Sequence, residues 1–328
     1  MKVFYGRDAD PSPISGRKVA ILGYGNQGRP QALNLRDSGV DQIRIAARDG
    51  GTSAAAAAAD GFQVSSPEDA ADWADLVAML IPDEDQAAVY RDVLAPRLRP
   101  GAALVFAHGF NIHFDLIVPR ADLDVILVAP KGPGTALRSE YEAGGGLLSL
   151  FAVHQDATES AEALALAYGA ALGSGRAGML ATSFAEECEA DLFNEQAVLW
   201  GAIPELIQAG FETLVDAGFA PEVAYLECVT EVKLIADLIV ARGIAGMREA
   251  ISNTAEFGAL KGGSRIINAD SRTEMRRILR DVRSGSFARE LMEEAGAGYP
   301  NLKASRAMAA EQPIEAVGMA LRGIKEER

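Results

Sequence analysis

Three features of this sequence predict an α/β fold in which a doubly wound sheet over residues 1–182 precedes an all-helical domain over residues 183–328. Short apolar runs alternate with helical stretches through the first half. A glycine-rich turn, Gly23 to Gly28, stands immediately after one of the first of those runs. Beyond about residue 182 the strand-like runs stop, and nearly every stretch carries helical period. Composition suits such a molecule, since 328 residues that are 49% hydrophobic and 23% charged describe a globular chain of about two domains.

The first strand is expected over residues 18–22, and Gly23, Tyr24, Gly25, Asn26, Gln27 and Gly28 follow it as a G-x-G-x-x-G. The glycines allow a tight turn and let backbone approach a pyrophosphate, which rests on the N–H groups that open the next helix, here residues 27–38. Such a sheet is Rossmann-like, and its ligand is a dinucleotide. Pro30 is tolerated because it falls in the first helical turn, where its missing N–H is not needed. A second strand over 42–47 leads to the turn that selects the cofactor. There Arg48, with hydroxyls from Thr52 and Ser53, favours the 2′-phosphate of NADPH, while Asp49 pulls towards NADH. Residues 54–59 read as helix by propensity.

Further buried strands are expected over 75–81, 102–107, 124–129 and 147–153. Ligands bind beyond the carboxyl ends of such strands, which brings forward Pro82 and Asp83, the loop from His108 to His113, and the loop from Pro130 through Lys131 and Pro133 to Gly134. His108 directly ends a core strand and suits a site role, whereas His113 and His154 are read as structural. Lys131, bracketed by proline and glycine, is held at a strand mouth, as suits a contact to substrate or to a metal ligand.

In the second half, Asp191 and Glu195 stand four residues apart in a helical segment, and Glu227 and Glu231 repeat the spacing. Neither pair has a Lys or Arg between its members. A solvated acidic face would be the plain reading, but apolar residues flank both pairs, so a hard cation such as Mg²⁺ is expected, with two pairs able to hold two ions. Soft ligands are lacking, which argues against zinc, copper and iron–sulfur. Residues 202–215 and 232–240 are apolar enough to be buried on several sides, which predicts at least a homodimer.

Net charge of -15 argues against nucleic acid or an anionic membrane as the main partner and for a small-molecule ligand. Cys188 and Cys228 form no C-x-x-C pair, so neither a disulfide framework nor a zinc site is expected, and a cytoplasmic location fits. Charge interrupts the N-terminus too early for a signal peptide, and no run is long enough to span a bilayer.

The motif residues around Gly23 to Gly28, His108 to His113, Pro130 to Gly134, Asp191 to Glu195 and Ser252 to Glu256 give the chain a resemblance to ketol-acid reductoisomerase (acetohydroxyacid isomeroreductase) in its short, class I form, over essentially its whole length. The resemblance implies conversion of 2-acetolactate or 2-aceto-2-hydroxybutyrate to a 2,3-dihydroxy acid with two Mg²⁺ and NADPH, in valine and isoleucine biosynthesis. It further implies that Asp191 bridges both ions, Glu195 completes the first site, and Glu227 and Glu231 serve the second from the partner subunit. Glu231 is implied as proton donor or acceptor, supported by His108 and Lys131. Pro82, Asp83, His108 and Gly134 join the cofactor contacts, and Pro133, Trp200, Ile251, Ser252 and Ala255 the substrate contacts, with Ser252 on the carboxylate.

This chain departs from the family pattern at several positions. Trp200 stands where Cys is usual, in a stretch that borders the substrate pocket. Ala202 and Pro204 are also unusual, Gly51 replaces a common Ser, Arg29 and Pro30 replace His-Ala, and Thr230 stands where His is frequent. Two alternatives therefore stand beside a working acetolactate enzyme: a paralogue for another 2-hydroxy-3-keto acid, its pocket reshaped by Trp200, and a nucleotide-binding scaffold without catalysis.

Overall fold

The computed structural model describes residues 1–48 and 50–326. Asp49, weighed above at the cofactor-selecting turn, lies outside the described residues. The chain divides into two compact units, Met1–Ala190 and Asp191–Arg328, the division falling within the helix Phe184–Asn194.

The strands of the first unit are β1 (Val3–Phe4), β2 (Val19–Leu22), β3 (Ile43–Ala46), β4 (Gln63–Ser65), β5 (Leu76–Met79), β6 (Ala103–Phe106), β7 (Asp124–Pro130), β8 (Ser149–Gln155) and β9 (Met179–Ala181). They form one sheet in the order β1-β9-β8-β7-β6-β5-β2-β3-β4. From β4 to β7 every pairing is parallel. This stretch is the Rossmann order, with its reversal between β2 and β5. Past β7 the sheet changes character: β8 runs antiparallel to β7 through a register shift at Val125 and Ile126, β9 is parallel to β8, and β1 closes the edge antiparallel to β9.

Period-two alternation explains how the strand runs divide between two cores. Val19, Ile21, Val105, Ile126 and Val128 pack with Leu35, Leu164 and Tyr168. Ala20, Leu22, Leu104, Phe106 and Leu127 face the other way, onto Leu94, Ile112 and Ile117. With helices on both faces, β2, β5, β6 and β7 are buried along their whole length. Each fully buried Leu or Ile contributes about 1.5–3 kcal/mol, and continuous apolar runs are what such strands require.

The second unit is built of helices, among them Ala202–Asp216, Val232–Glu249, Asn253–Ile266 and Ala269–Arg283. Within the single chain it buries little of its apolar surface. In Ala202–Asp216 only Phe211 is buried, and Val232–Glu249, which breaks its helical geometry at Gly243 (φ 70), has no buried residue. Leu234, Ile239 and Val240, within the apolar run 232–240 from which a dimer is expected, lie exposed in the single chain. Periodicity reports that a face must be covered and is silent on whether the same chain covers it. Among the described residues no helix is long and apolar enough to cross a membrane.

Candidate active site

The glycine turn lies at the switch point of the sheet. Gly23 adopts φ +92, and a Cβ there would stand 2.7 Å from the Leu80 carbonyl oxygen just past β5. At Gly28 a Cβ would stand 2.1 Å from the Gly23 carbonyl, whereas at Gly25 it would meet nothing within 4 Å. Two glycines are thus needed for close packing, and the middle one leaves open backbone above the start of the helix Gly28–Asp37. That is the arrangement a pyrophosphate needs. Gly134 is buried, and its Cβ would collide with the Asn26 carbonyl, so the turn after β7 seats directly on the glycine turn. Gln27 adds a hydrogen bond from Nε2 to the Gly132 carbonyl at 3.4 Å. The Tyr24 side chain is only 4% exposed and turns to Asp60 and Phe62, which leaves its backbone as the part on the cradle.

Beyond β3, Arg48 accepts the Gly51 N–H on its carbonyl, and its side chain is exposed, as is Thr52, with Ser53 half-buried. Thr52 and Ser53 open the helix Thr52–Ala59. Beyond β5, Pro82 is exposed, and Asp83 is fixed by Asn111 Nδ2 donating to its carbonyl (2.9 Å) and Gln86 Nε2 to its carboxylate (3.1 Å).

The strongest polar cluster of the first unit gathers on Glu187. Ser183 starts the helix Phe184–Asn194 by accepting the Glu186 N–H on its hydroxyl, which places Glu187 in the first turn, where the helix dipole favours an acid. Its side chain is 1% exposed. Glu187 Oε2 lies 3.1 Å from His108 Nδ1 and accepts the Gly109 N–H at 2.9 Å, while Oε1 accepts from Lys131 Nζ at 2.6 Å. Gly109 is required here, because a Cβ would stand 2.3 Å from the Phe184 carbonyl. Burial opposes the charge on Glu187, but hydrogen bonds and charge from His108 and Lys131 outweigh it and hold the carboxyl at about 2. For His108 burial likewise works against the charged form, yet the hydrogen bonds with Cys188 and Glu187 and the charge of Glu187 raise its pKa well above the usual value. One buried anion therefore holds two cations at the mouths of β6 and β7. The pair offers positive charge and proton donors to an oxyanion at a strand mouth.

Sequence reasoning named His108 and Lys131 and missed their anchor. In the sequence Glu187 is one of several acids, with Glu186 and Glu189, just before Asp191. The available signal was its position one turn before Asp191 and beside Phe184 and Cys188, on a helix face whose other members are buried.

In the second unit both acid pairs abut a widened helical turn. Asp191 ends one turn before Glu195, which opens a π-helical turn, Glu195–Leu199, closed by the Trp200 N–H on the Glu195 carbonyl at 2.9 Å. Glu227 lies inside a second π turn, Leu226–Thr230, and Glu231 follows it directly. Single π turns concentrate at functional sites. Asp191 and Glu195 are half-buried, and Glu227 and Glu231 are exposed. Among the described residues, neither Glu227 nor Glu231 joins a cluster of three possible ligand side chains within one chain. Trp200 is 68% exposed. Ser252 caps the helix Asn253–Ile266, its Oγ accepting the Ala255 N–H at 3.2 Å, with Ile251 half-buried just before it.

The family model described as acetohydroxy acid isomeroreductase, NADPH-binding domain, matches residues 13–178, and that described as ketol-acid reductoisomerase, C-terminal domain, matches residues 184–327. The chain belongs to the ketol-acid reductoisomerase family. An NADH-preferring ketol-acid reductoisomerase from an uncultured archean is 44% identical in sequence, covers 98% of this chain and 99% of its own, and superposes with a TM-score of 0.95. A semialdehyde dehydrogenase NAD-binding protein from Cupriavidus necator (18% identity, 82% of this chain and 99% of its own, TM-score 0.60) shares the fold alone. So does a pyrroline-5-carboxylate reductase from Coxiella burnetii (15%, 82% and 98%, TM-score 0.58). As a ketol-acid reductoisomerase the chain is an NAD(P)H-dependent oxidoreductase with an isomerase step, in branched-chain amino-acid biosynthesis. The reading as a scaffold without catalysis gives way to this assignment.

Proposed function

We propose that the enzyme acts on 2-acetolactate or 2-aceto-2-hydroxybutyrate, with NADPH and two Mg²⁺, as a cytoplasmic homodimer. The observation that carries this reading is the pair of acid pairs set at π turns. Carboxylates are the donors at all four positions, which fits Mg²⁺ and not a thiophilic metal. Asp191 and Glu195 would hold the ions from one subunit, and Glu227 and Glu231 of a second copy would complete the site. Bound there, Mg²⁺ supplies Lewis acidity towards the substrate's carbonyl and hydroxyl oxygens and lowers the hydroxyl pKa.

The protein's own groups account for the rest. Deprotonation of the C2 hydroxyl allows the alkyl group to leave C2 with its bonding electrons and join the former C3 carbonyl carbon. A ketone is left at C2 and an alkoxide at C3. Glu231 moves the proton between these oxygens, hydride from the nicotinamide then adds to the C2 carbonyl carbon, and the C2 alkoxide so formed takes a proton from water to become the second hydroxyl. The open backbone at Gly25 and the start of Gly28–Asp37 receive the pyrophosphate, while His108 and Lys131, fixed by Glu187, orient polar groups at the strand mouths. Ser252 Oγ, already an acceptor, retains its own hydrogen to donate to the substrate carboxylate. Pro133, Ile251, Ala255 and Trp200 would shape the surrounding pocket.

A second copy is favoured by how little the helical unit buries. Leu192, Ala197, Phe211, Ala224, Val282 and Ala288 are its buried apolar residues among those described, while Val240 is 89% exposed and Leu234, Ile244, Phe257 and Leu260 also face outward. Apolar surface of that extent marks an interface.

Oxidation of NADPH with 2-acetolactate, with and without Mg²⁺, tests the function, and turnover that persists in chelator or is absent with the metal would reject it. NADH run in parallel tests the cofactor. Arg48, Thr52 and Ser53 support NADPH, the preference of the archaeal relative supports NADH, and faster turnover with NADH would overturn the reading of Arg48. A reshaped pocket is favoured by Trp200 standing where Cys is usual in the family. Trp200→Cys is expected to lower KM for 2-aceto-2-hydroxybutyrate about fivefold relative to 2-acetolactate, and unchanged kinetics with both would remove the basis for a different substrate.

A further inference from the structure

The helix Thr52–Ala59 consists of Thr, Ser and six alanines, and Ala57 is its one buried residue. Side-chain packing therefore does little to fix where it lies, although its first residues and the preceding Arg48 must meet the adenosine end of the cofactor. What fixes it stands at its other end. Asp60 closes the helix with its N–H on the Ala56 carbonyl, and its carboxylate receives three hydrogen bonds from the glycine turn and the first turn after it. Tyr24 Oη donates to Oδ2 at 2.7 Å, Arg29 Nε to Oδ2 at 2.6 Å and Arg29 Nη2 to Oδ1 at 3.1 Å. Arg36 donates to the Asp60 carbonyl at 2.7 Å and lies 4.8 Å over the Phe62 ring, against which Tyr24 packs edge-on at 5.9 Å. The two arginines also place positive charge where the helix dipole is negative.

We propose that Asp60, through Tyr24 and Arg29, is a positioning residue for the dinucleotide: it ties the segment that receives the pyrophosphate to the far end of the helix that receives the adenosine ribose. The inference rests on the nicotinamide-cofactor reading and goes beyond it, since none of the three side chains need touch the cofactor. The helix is about 12 Å long at 1.5 Å per residue. Anchoring one end fixes the separation of two half-sites that a single ligand must satisfy together. A ligand that spans both half-sites gains from that preset separation, and a ligand confined to one does not. Arg29 is 54% exposed, so its ion pair adds little to folding stability, and its effect is expected in binding.

The test measures dissociation constants by fluorescence for NADPH and NADH, and by competition for 2′-AMP and 5′-AMP, which reach only the adenosine half. Asp60→Ala is expected to weaken both dinucleotides about tenfold while the two nucleotides change less than about twofold. KM for cofactor should rise with kcat at saturating cofactor little changed. Asp60→Asn, which keeps one acceptor, should fall between wild type and Asp60→Ala. Tyr24→Phe combined with Asp60→Ala should weaken binding by less than the sum of the single effects. Should Asp60→Ala fail to fold, Arg29→Ala, at an exposed side chain, decides the matter: about threefold weaker dinucleotide binding with unmoved nucleotides supports the proposal. Equal weakening of dinucleotides and nucleotides, or no weakening of either, overturns it. A wild-type protein that binds neither dinucleotide overturns the cofactor reading as well, whereas normal wild-type binding with unmoved variants overturns this inference alone.

Discussion

Glu187→Gln is expected to reduce turnover on the order of 100-fold or more and to cost about 3–5 kcal/mol of folding free energy. The carboxylate is buried and neutralises two cations at once, and it also anchors the Gly109 N–H that shapes the loop after β6. With an amide in its place His108 and Lys131 repel each other, and the desolvation of each goes uncompensated. A variant that kept wild-type urea stability would show that the node does not hold the loops together. The pH dependence has a definite sign. Glu187 is held at about 2 in the folded protein against about 4.3 unfolded. Its contribution is therefore present above about pH 4.3 and is lost as pH falls through about 2. His108 is shifted the other way, so its contribution is present below about pH 6.5 and is lost as pH rises through its raised folded value. The gap in unfolding free energy between wild type and Glu187→Gln should be widest at about pH 4.5–6.5 and should narrow towards pH 3. A gap that widens on acidification would contradict the assignment of Glu187 as the ionised partner.

The sheet was legible in the sequence where strands are buried on both faces, because β2, β5, β6 and β7 demand unbroken apolar runs. It was not legible at the edges. β1 has two residues and β4 and β9 three each, too few for a period to show, and short edge strands are what a sheet needs to avoid pairing with its neighbours. Of the site, residues that end core strands or carry glycine geometry could be named directly, as Gly23, His108 and Lys131 were. Glu187 could not, because its partners His108 and Lys131 stand 79 and 56 residues away, and a place beside Phe184 and Cys188 on an inward helix face does not say which cations an acid there will meet. The π turns beside both acid pairs were hidden for a related reason. Gly201 follows the first of them, where a Cβ would stand 2.0 Å from the Gln196 carbonyl, and a single glycine there does not distinguish a widened turn from a helix end.

Mixing two inactive variants is expected to restore activity, and this separates a site shared between subunits from one built within a chain. Glu195→Gln should abolish both the alkyl shift and the reduction if the acids clamp Mg²⁺, because each step needs the same charge stabilisation. Asp191→Asn and Glu231→Gln should each be inactive for the same reason. In a dimer with one Asp191→Asn subunit and one Glu231→Gln subunit, sites that combine Asp191 of one copy with Glu231 of the other fall into two kinds. One carries both lesions, and one carries neither. Random co-assembly makes half of the dimers mixed, so about a quarter of wild-type activity should return. If Asp191 and Glu231 served a site within one chain, every site in every dimer would carry a lesion and none would return. The exposed Glu227 and Glu231, which join no ligand cluster within the single chain among the described residues, favour the first outcome. So does the unburied helix Val232–Glu249 that continues directly from Glu231, since covering that face with a second copy would carry the acid pair to the neighbouring subunit.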